Sequence, residues 1–361
     1  MIIQTSCSPI TWEPQLSDAQ SQSIQFKISA SIITMPNGDI WSIVEQDGIP
    51  KSLIRYNPDA KSLRTYTIET FTGRGLPFKL FVSKNGTLWG MEFQYEGQFT
   101  GGRHTDWMLY RYDAESDSFF RVYDTGRLLR GKFVMDATED PQGNLWIVLE
   151  QEDLRRELIR YDPTSNEASK IDLDPKLQEL SVEKISRIAS ASDGSIWMMG
   201  EVRRSSTVQQ TTPITLVAYR FAGTVLQFNP TTDTIKDYGA PLGGMFFRDR
   251  LYFDRSGNLW TSSIARLSFP KSSEPVWLPK VQPDAFVKEE GDRTWWMDPF
   301  AIYQSSDGRL WFSSRAGLVM HDPQKNTWQR VNDWSSAVVE DEHGRLWTAA
   351  NNQLYSFDLK R

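Results

Sequence analysis

Apolar and polar positions alternate in short bursts along the whole chain, and one burst keeps returning. A turn residue, then Gly, any residue, Leu or Ile, and Trp recurs at Gly38–Trp41, Gly86–Trp89, Gly143–Trp146 and Gly194–Trp197, and again at Gly257–Trp260, Gly308–Trp311 and Gly344–Trp347. Around the sixth copy the pattern predicts four strands. Ala301–Gln304 is a short apolar run, and Asp307-Gly308 is a hairpin signal that needs a residue at positive φ. Leu310–Phe312 starts a second strand and Gly317–Met320 a third. Asp322-Pro323 turns the chain, and Thr327–Val331 is the fourth. The turn after the third strand recurs as Asn57-Pro58, Asp162-Pro163 and Asn229-Pro230, each behind an aromatic (Tyr56, Tyr161, Phe228), with Asp113-Ala114 behind Tyr112 in the same place.

The Trp-to-Trp steps are 48, 57, 51, 63, 51 and 36 residues, the range of propeller blades. The expected fold is therefore all-β, a seven-bladed β-propeller with four antiparallel strands per blade, occupying residues 1–361 as a single domain. The blades are expected at 26–68, 77–124, 132–173, 184–239, 247–280, 299–332 and 335–361 plus 8–16. The last needs its N-terminal part because the C-terminus runs out after a third strand, Gln353–Leu359. Ile10-Thr11-Trp12-Glu13 matches Asn326-Thr327-Trp328-Gln329 of blade six, so an N-terminal strand is expected to close the ring and leave no open edge. The seven motif tryptophans share one register and are expected to be core.

Composition narrows the function classes. A net charge of −6 offers no global basic field for nucleic acid, and no apolar run reaches membrane-spanning length. Met1–Cys7 is too short and uncharged for a signal peptide, so the chain as it stands is expected in the cytoplasm, or outside it where a leader has been removed. One cysteine permits no internal disulfide, and His104, His321 and His343 share no metal-ligand spacing. No cofactor or metal is expected, and without an open edge the expected state is a monomer.

The pattern Asp-Gly-x-Leu-Trp, then Gly-Leu or Leu-Ile, then Tyr-Asp-Pro, resembles the two-component-regulator propeller repeat, best in blades three and six. In repeat style the chain is also similar to virginiamycin B lyase. The first resemblance implies a bacterial, sensor-like recognition module. The second implies a lyase with a histidine base and carboxylate metal ligands. This chain departs from the sensor pattern in having no kinase and no second propeller.

In such a fold the turns joining strands one to two and three to four lie at one end of each sheet. The loops joining two to three, and one blade to the next, lie at the other. Every tight Gly or Asp-Pro turn belongs to the first end. The insertions Gln94–Trp107, Glu150–Glu157 and Arg203–Pro213 and the linker Val281–Pro299 belong to the second, so a ligand site is expected there. Ten residues before each motif Trp stand Ser31, Lys79, Asp136, Arg187, Arg250, Ala301 and Ala337, which puts a charge at one register in four consecutive blades near the channel mouth. This register reads either as a solvated channel lined by mutually neutralising charges or as a binding mouth. For the second reading the ligand-binding candidates are Lys79, Asp136, Arg187, Arg248 and Arg250, with Trp295, Trp296 and Trp334 as stacking platforms. The function expected is non-catalytic recognition of an anionic small molecule or acidic glycan, with a protein partner as a further option. The alternative is a carbohydrate-active or metal-assisted lyase-like enzyme using the same end, for which no catalytic residue is assigned.

Overall fold

The computed structural model describes residues 12–24, 27–46, 49–67, 79–83, 86–95, 104–122, 132–151, 155–205, 219–240, 250–262, 264–269, 275–278, 283–290, 293–296, 299–314, 316–333, 337–350 and 353–359. They form seven four-stranded antiparallel sheets, each in simple up-and-down order, which makes the fold a seven-bladed β-propeller. The chain divides into two compact units. Residues 1–82 with 283–361 carry blades one, six and seven and the strand Lys79–Val82. Residues 83–282 carry blades three, four and five and the strands Leu88–Tyr95, His104–Asp113 and Ser118–Arg121.

The repeated burst builds the same corner each time. Its glycine sits at φ between 78° and 89° in all seven copies, where a side chain would be strained. The tryptophan that follows is buried in every copy, between 0% and 4% exposed. Six residues before the tryptophan stands a residue that the sequence reading did not single out. In blades three, five and seven it is Asp140, Asp254 or Asp341, whose carboxylate accepts the indole N–H of Trp146, Trp260 or Trp347 at 2.9, 2.8 and 2.8 Å. The same carboxylates also accept amides of their own hairpins, from Asn144, Asn258 and Arg345. In blade six it is Ser305, whose hydroxyl accepts from Trp311, and in blade four Ser195, two residues before Trp197, does the same work. In these five blades the hairpin and the indole are one hydrogen-bonded unit, and burying the ring leaves no polar cost behind.

The rings of Trp89, Trp146, Trp197 and Trp347 then face the third-strand region of the next blade. Within the 83–282 unit Trp89 meets Tyr161, Trp146 meets Phe228 and Trp197 meets Phe269, at 6.1, 6.1 and 5.3 Å between centroids. Within the other unit Trp347 meets Tyr56 at 6.0 Å. This explains the aromatic ahead of each Asp-Pro or Asn-Pro turn. The Asx residue itself folds the turn, since Asn57, Asp113, Asp162, Asn229 and Asp322 each accept an amide two or three residues on. Each of these turns places one residue in the left-handed region at φ 49° to 57°, namely Lys61, Asp117, Asn166, Asp233 and Asn326.

The N-terminus completes blade seven. Glu13–Pro14 pairs antiparallel with Gln353–Asp358, opposite Ser356 and Tyr355. Gln15 N–H donates to the Leu354 carbonyl, and the Gln353 side chain brackets the Leu16 backbone on both sides. Trp12 lies 6.3 Å from Trp311 and 5.9 Å from Phe357. A short helix α1, Asp18–Ser23, follows with a capping box between Ser17 and Gln20, and Leu16 and Ile24 are buried beside Tyr56 and Trp347. The closing strand falls within the 8–16 expected, and residues 1–11 lie outside the described ones. The stretch expected as a plain linker before blade six carries structure instead. A 3-10 turn, Asp284–Phe286, leads into a hairpin of Val287–Glu290 and Arg293–Trp296. Phe286 is fully buried against Phe312 and Trp328, which anchors it.

Two outcomes are expected. Removing residues 1–16 takes a strand and the buried Leu16 from blade seven, so urea unfolding is expected to show a loss of at least about 3 kcal/mol. Asp140→Ala leaves the indole N–H of Trp146 and the Asn144 amide without their acceptor. A loss of about 2–3 kcal/mol is expected in the same assay, against less than about 0.5 for an exposed change such as Glu167→Ala.

Candidate functional site

The first strand of a blade is where the candidate register falls, and in four blades that strand is irregular there. The ladder slips between Val134 and Asp136 in blade three and between Ile185 and Ile188 in blade four. It slips between Ile28 and Ile32 in blade one and between Pro299 and Ala301 in blade six. Counting back ten residues from the tryptophan therefore finds a β-bulge, a device that frees backbone groups and re-aims side chains.

In the 83–282 unit the freed groups are taken up by charged side chains. Met135 is the extra residue of blade three, and its carbonyl accepts Arg187 Nη1 from blade four at 2.6 Å. In return the carboxylate of Asp136 accepts the Ile188 amide at 3.2 Å, just past the blade-four bulge. Thr138 repeats the link one step on, accepting the Ser190 amide. Asp136 is buried and Arg187 half-buried. The structure brings these two candidates together, and it commits both to lacing one blade to the next.

The remaining candidates are placed differently. Arg250 is exposed, while its backbone is held on both sides by Ser262 of the second strand. Lys79 opens the first strand of blade two and belongs to the other unit, and its side chain is outside the described part. Trp295 and Trp296 lie in the extra hairpin of that unit, opposite Lys288 and Val287. Arg248 and Trp334 lie outside the described residues.

Which end of the sheets carries variation is plain within each unit. At the tight-turn end the acids belong to turns. Asp113 is held below its ordinary pKa by hydrogen bonds from the Ser116 side chain and amide, and Asp162 by the Thr164 amide and Ser165. His321 stacks on Trp328 at 4.1 Å in the same turn region, and His343 sits in the blade-seven hairpin. The opposite end carries the long elements. The second and third strands of blade four, Ile196–Ser205 and Tyr219–Asn229, pair out to Ser205 and Tyr219, three residues past the last pairing of the first strand at Val202. A helix α2, Asp174–Glu179, fills the link from blade three to blade four. Its sequence, Asp-Pro-Lys-Leu-Gln-Glu, carries a proline near its start and a single buried residue, Leu177, too short a pattern to declare a helix beforehand. Among the described residues no group of three or more metal-ligating side chains gathers, and no helix is long and apolar enough to cross a membrane.

No family model matches the chain and no curated relative does, while solved structures resemble it in fold. Two are extracellular domains of hybrid two-component systems from B. thetaiotaomicron. The first has a TM-score of 0.61 at 14% identity and covers 98% of this chain and 43% of its own. The second has a TM-score of 0.58 at 14% identity, covering 98% and 41%. A third is PorZ, a surface component of the type-IX secretion system of Porphyromonas gingivalis, with a TM-score of 0.54 at 12% identity, covering 91% and 46%. The chain thus spans less than half the length of each of these proteins, and the likeness is one of fold.

Arg187→Ala is expected to destabilise the protein by about 1.5–3 kcal/mol in urea unfolding, the value of a charge-assisted bond to a half-buried carbonyl. Arg250→Ala, which removes an exposed side chain, is expected to stay within about 0.5 kcal/mol of wild type.

Proposed function

We propose that this propeller is a non-catalytic recognition module of the sensor type, taking an anionic small molecule or acidic glycan at the end of the sheets that carries the loops from strand two to three and the blade links. The observation that carries this reading is the contrast between the two ends. The tight-turn end repeats one clasped corner and one Asx turn, which absorb Asp140, Asp341 and Asp162, and His321 there stacks on Trp328. The other end varies from blade to blade, with over-long strands, α2 and an added hairpin. Ligand specificity resides in such variable segments, because they change without disturbing the sheets.

Arg250 is the preferred contact, since its side chain is exposed while its backbone is pinned. Arg248 joins it in the proposed ligand set of the 83–282 unit, where Arg187 and Asp136 tie neighbouring inner strands together. The sensor role draws on the fold neighbours, which are extracellular domains of two-component systems. Recognition is favoured over a lyase-like reaction because the described histidines His321 and His343 lie at the tight-turn end.

The test is calorimetry with a panel of uronate and sulfated oligosaccharides. A ligand from that panel is expected to bind wild type and to lose roughly ten- to a hundred-fold in affinity to Arg250→Ala, with Arg250→Lys intermediate. Equal binding by all three proteins removes Arg250 from the site, and no binding across the panel removes the ligand class.

A further inference from the structure

The outer strand of blade two, Ser118–Arg121, carries a side chain unlike those of its counterparts. Strand register sets Trp89, Arg111 and Phe120 in one rung across the sheet, on one face. At the place of Phe120 stand Arg64 in blade one, Ser169 in blade three, Lys236 in blade four, Gln329 in blade six and Glu13 in blade seven, with Leu278 in blade five. Arg64 and Lys236 each lie over an aromatic two residues on, Tyr66 and Tyr238, at 5.1 and 4.9 Å. Charged side chains on an outer strand guard against a further strand adding there. In blade two this rung lacks that guard, and Phe120 is 47% exposed.

A lone exposed phenylalanine is ordinary on a protein surface. Here two further features accompany it. The first is Arg111, exposed beside it in the rung and, among the described residues, engaged by no ion pair or hydrogen bond. The acid two residues on, Asp113, is spent on the Ser116 amide and hydroxyl. The second is the edge itself. The Val122 N–H donates inward to the Leu109 carbonyl, so by strand alternation Ser118 and Phe120 also bond inward, while the backbone groups of Phe119 and Arg121 face outward. Among the described residues no strand pairs with that edge.

We propose that this edge binds an extended, acidic peptide segment of a partner protein as a fifth strand. The added strand exchanges backbone hydrogen bonds with Phe119 and Arg121. The residue between those bonds stands directly opposite Phe120 and sets an aliphatic side chain against its ring, in the kind of pair where side chains approach most closely. A glutamate two positions along shares that face. Two long side chains span the roughly 10 Å of two strand spacings and bring its carboxylate to the Arg111 guanidinium. The backbone ladder selects an extended segment, and the free cation selects an acidic one. The site and the ligand class are separate from those under "Proposed function", and neither depends on Arg250.

The experiment is calorimetry on the full chain with the peptide acetyl-Glu-Thr-Val-Thr-Glu-amide, which is expected to bind saturably. The same peptide with both threonines N-methylated keeps every side chain and loses the ladder donors. It is expected to bind at least ten-fold more weakly, and the form with glutamine for glutamate at least five-fold. Phe120→Lys restores the polar edge of the other blades and Arg111→Gln removes the cation. Both positions are exposed, so each variant is expected to lose affinity five-fold or more with unchanged melting temperature. Arg250→Ala, the variant that probes the other site, is expected to bind the peptide as wild type does. Absence of saturable binding at roughly 10 mM peptide overturns the proposal. So does equal affinity for the N-methylated peptide, or unchanged binding by Phe120→Lys. Sedimentation of the free protein supplies the remaining arm: self-association that Phe120→Lys abolishes gives the edge to a second copy and overturns the peptide. The modified peptides need no protein variant, so the result stands even where a substitution disturbs the fold.

Discussion

The buried tryptophan of each blade is the contact on which the rest depends. In blades three to seven its indole N–H is held by an aspartate or serine of its own first hairpin, as in Trp146 with Asp140 and Trp311 with Ser305. For Trp89, Trp146, Trp197 and Trp347 the ring packs on an aromatic of the next blade, as in Trp146 with Phe228 and Trp347 with Tyr56. One side chain thereby couples hairpin geometry to blade-to-blade packing. Hydrophobic burial supplies most of the free energy, while the polar bond fixes the orientation of the ring and hence the wedge between sheets. The glycine three positions earlier is required because the hairpin that delivers the tryptophan turns through positive φ.

A second layer of coupling runs along the inner strands. Among the described residues the blades are separate sheets, with no backbone ladder from one to the next. In blades three and four the bulges release a carbonyl and an amide that would otherwise be spent within the sheet. Arg187 and Asp136 then use those groups to tie the sheets together. Arg156 does the same further out, reaching the Ile185 carbonyl. Charged side chains at this level are therefore girders first, and what remains for a ligand is what they hold in place. Function on this fold is expected to come from exposed groups whose strands are pinned, as the backbone of Arg250 is pinned by Ser262.

The two ends of the sheets carry different constraints. At the tight-turn end nearly every polar group is spent on making the turn, and a longer loop would break the clasp or the Asx turn. At the other end the strands simply run on, so length changes cost little more than loop entropy. Blade four uses that freedom for a projecting ribbon, the blade-three link for α2, and the approach to blade six for a hairpin anchored by Phe286. Anchoring matters for that hairpin, since two strands alone are marginal in water.

Local sequence determined the repeat and nearly everything that follows from it. Gly-x-Leu-Trp names the hairpin, the aromatic before Asp-Pro names the third strand, and Trp12 betrays the displaced strand of blade seven, because each is an interaction between residues close in the chain or repeated in register. The clasp at Asp140, Asp254 and Asp341 was legible in principle from its six-residue spacing to the tryptophan, and was missed because Ser305 and Ser195 do the same work elsewhere. Only tertiary structure decided where the inner-strand charges point. A bulge in the first strand shifts side chains between faces without leaving a mark in the sequence, so Lys79, Asp136, Arg187 and Arg250 read alike along the chain. In space Asp136 and Arg187 are bound into the neighbouring blade while Arg250 faces solvent.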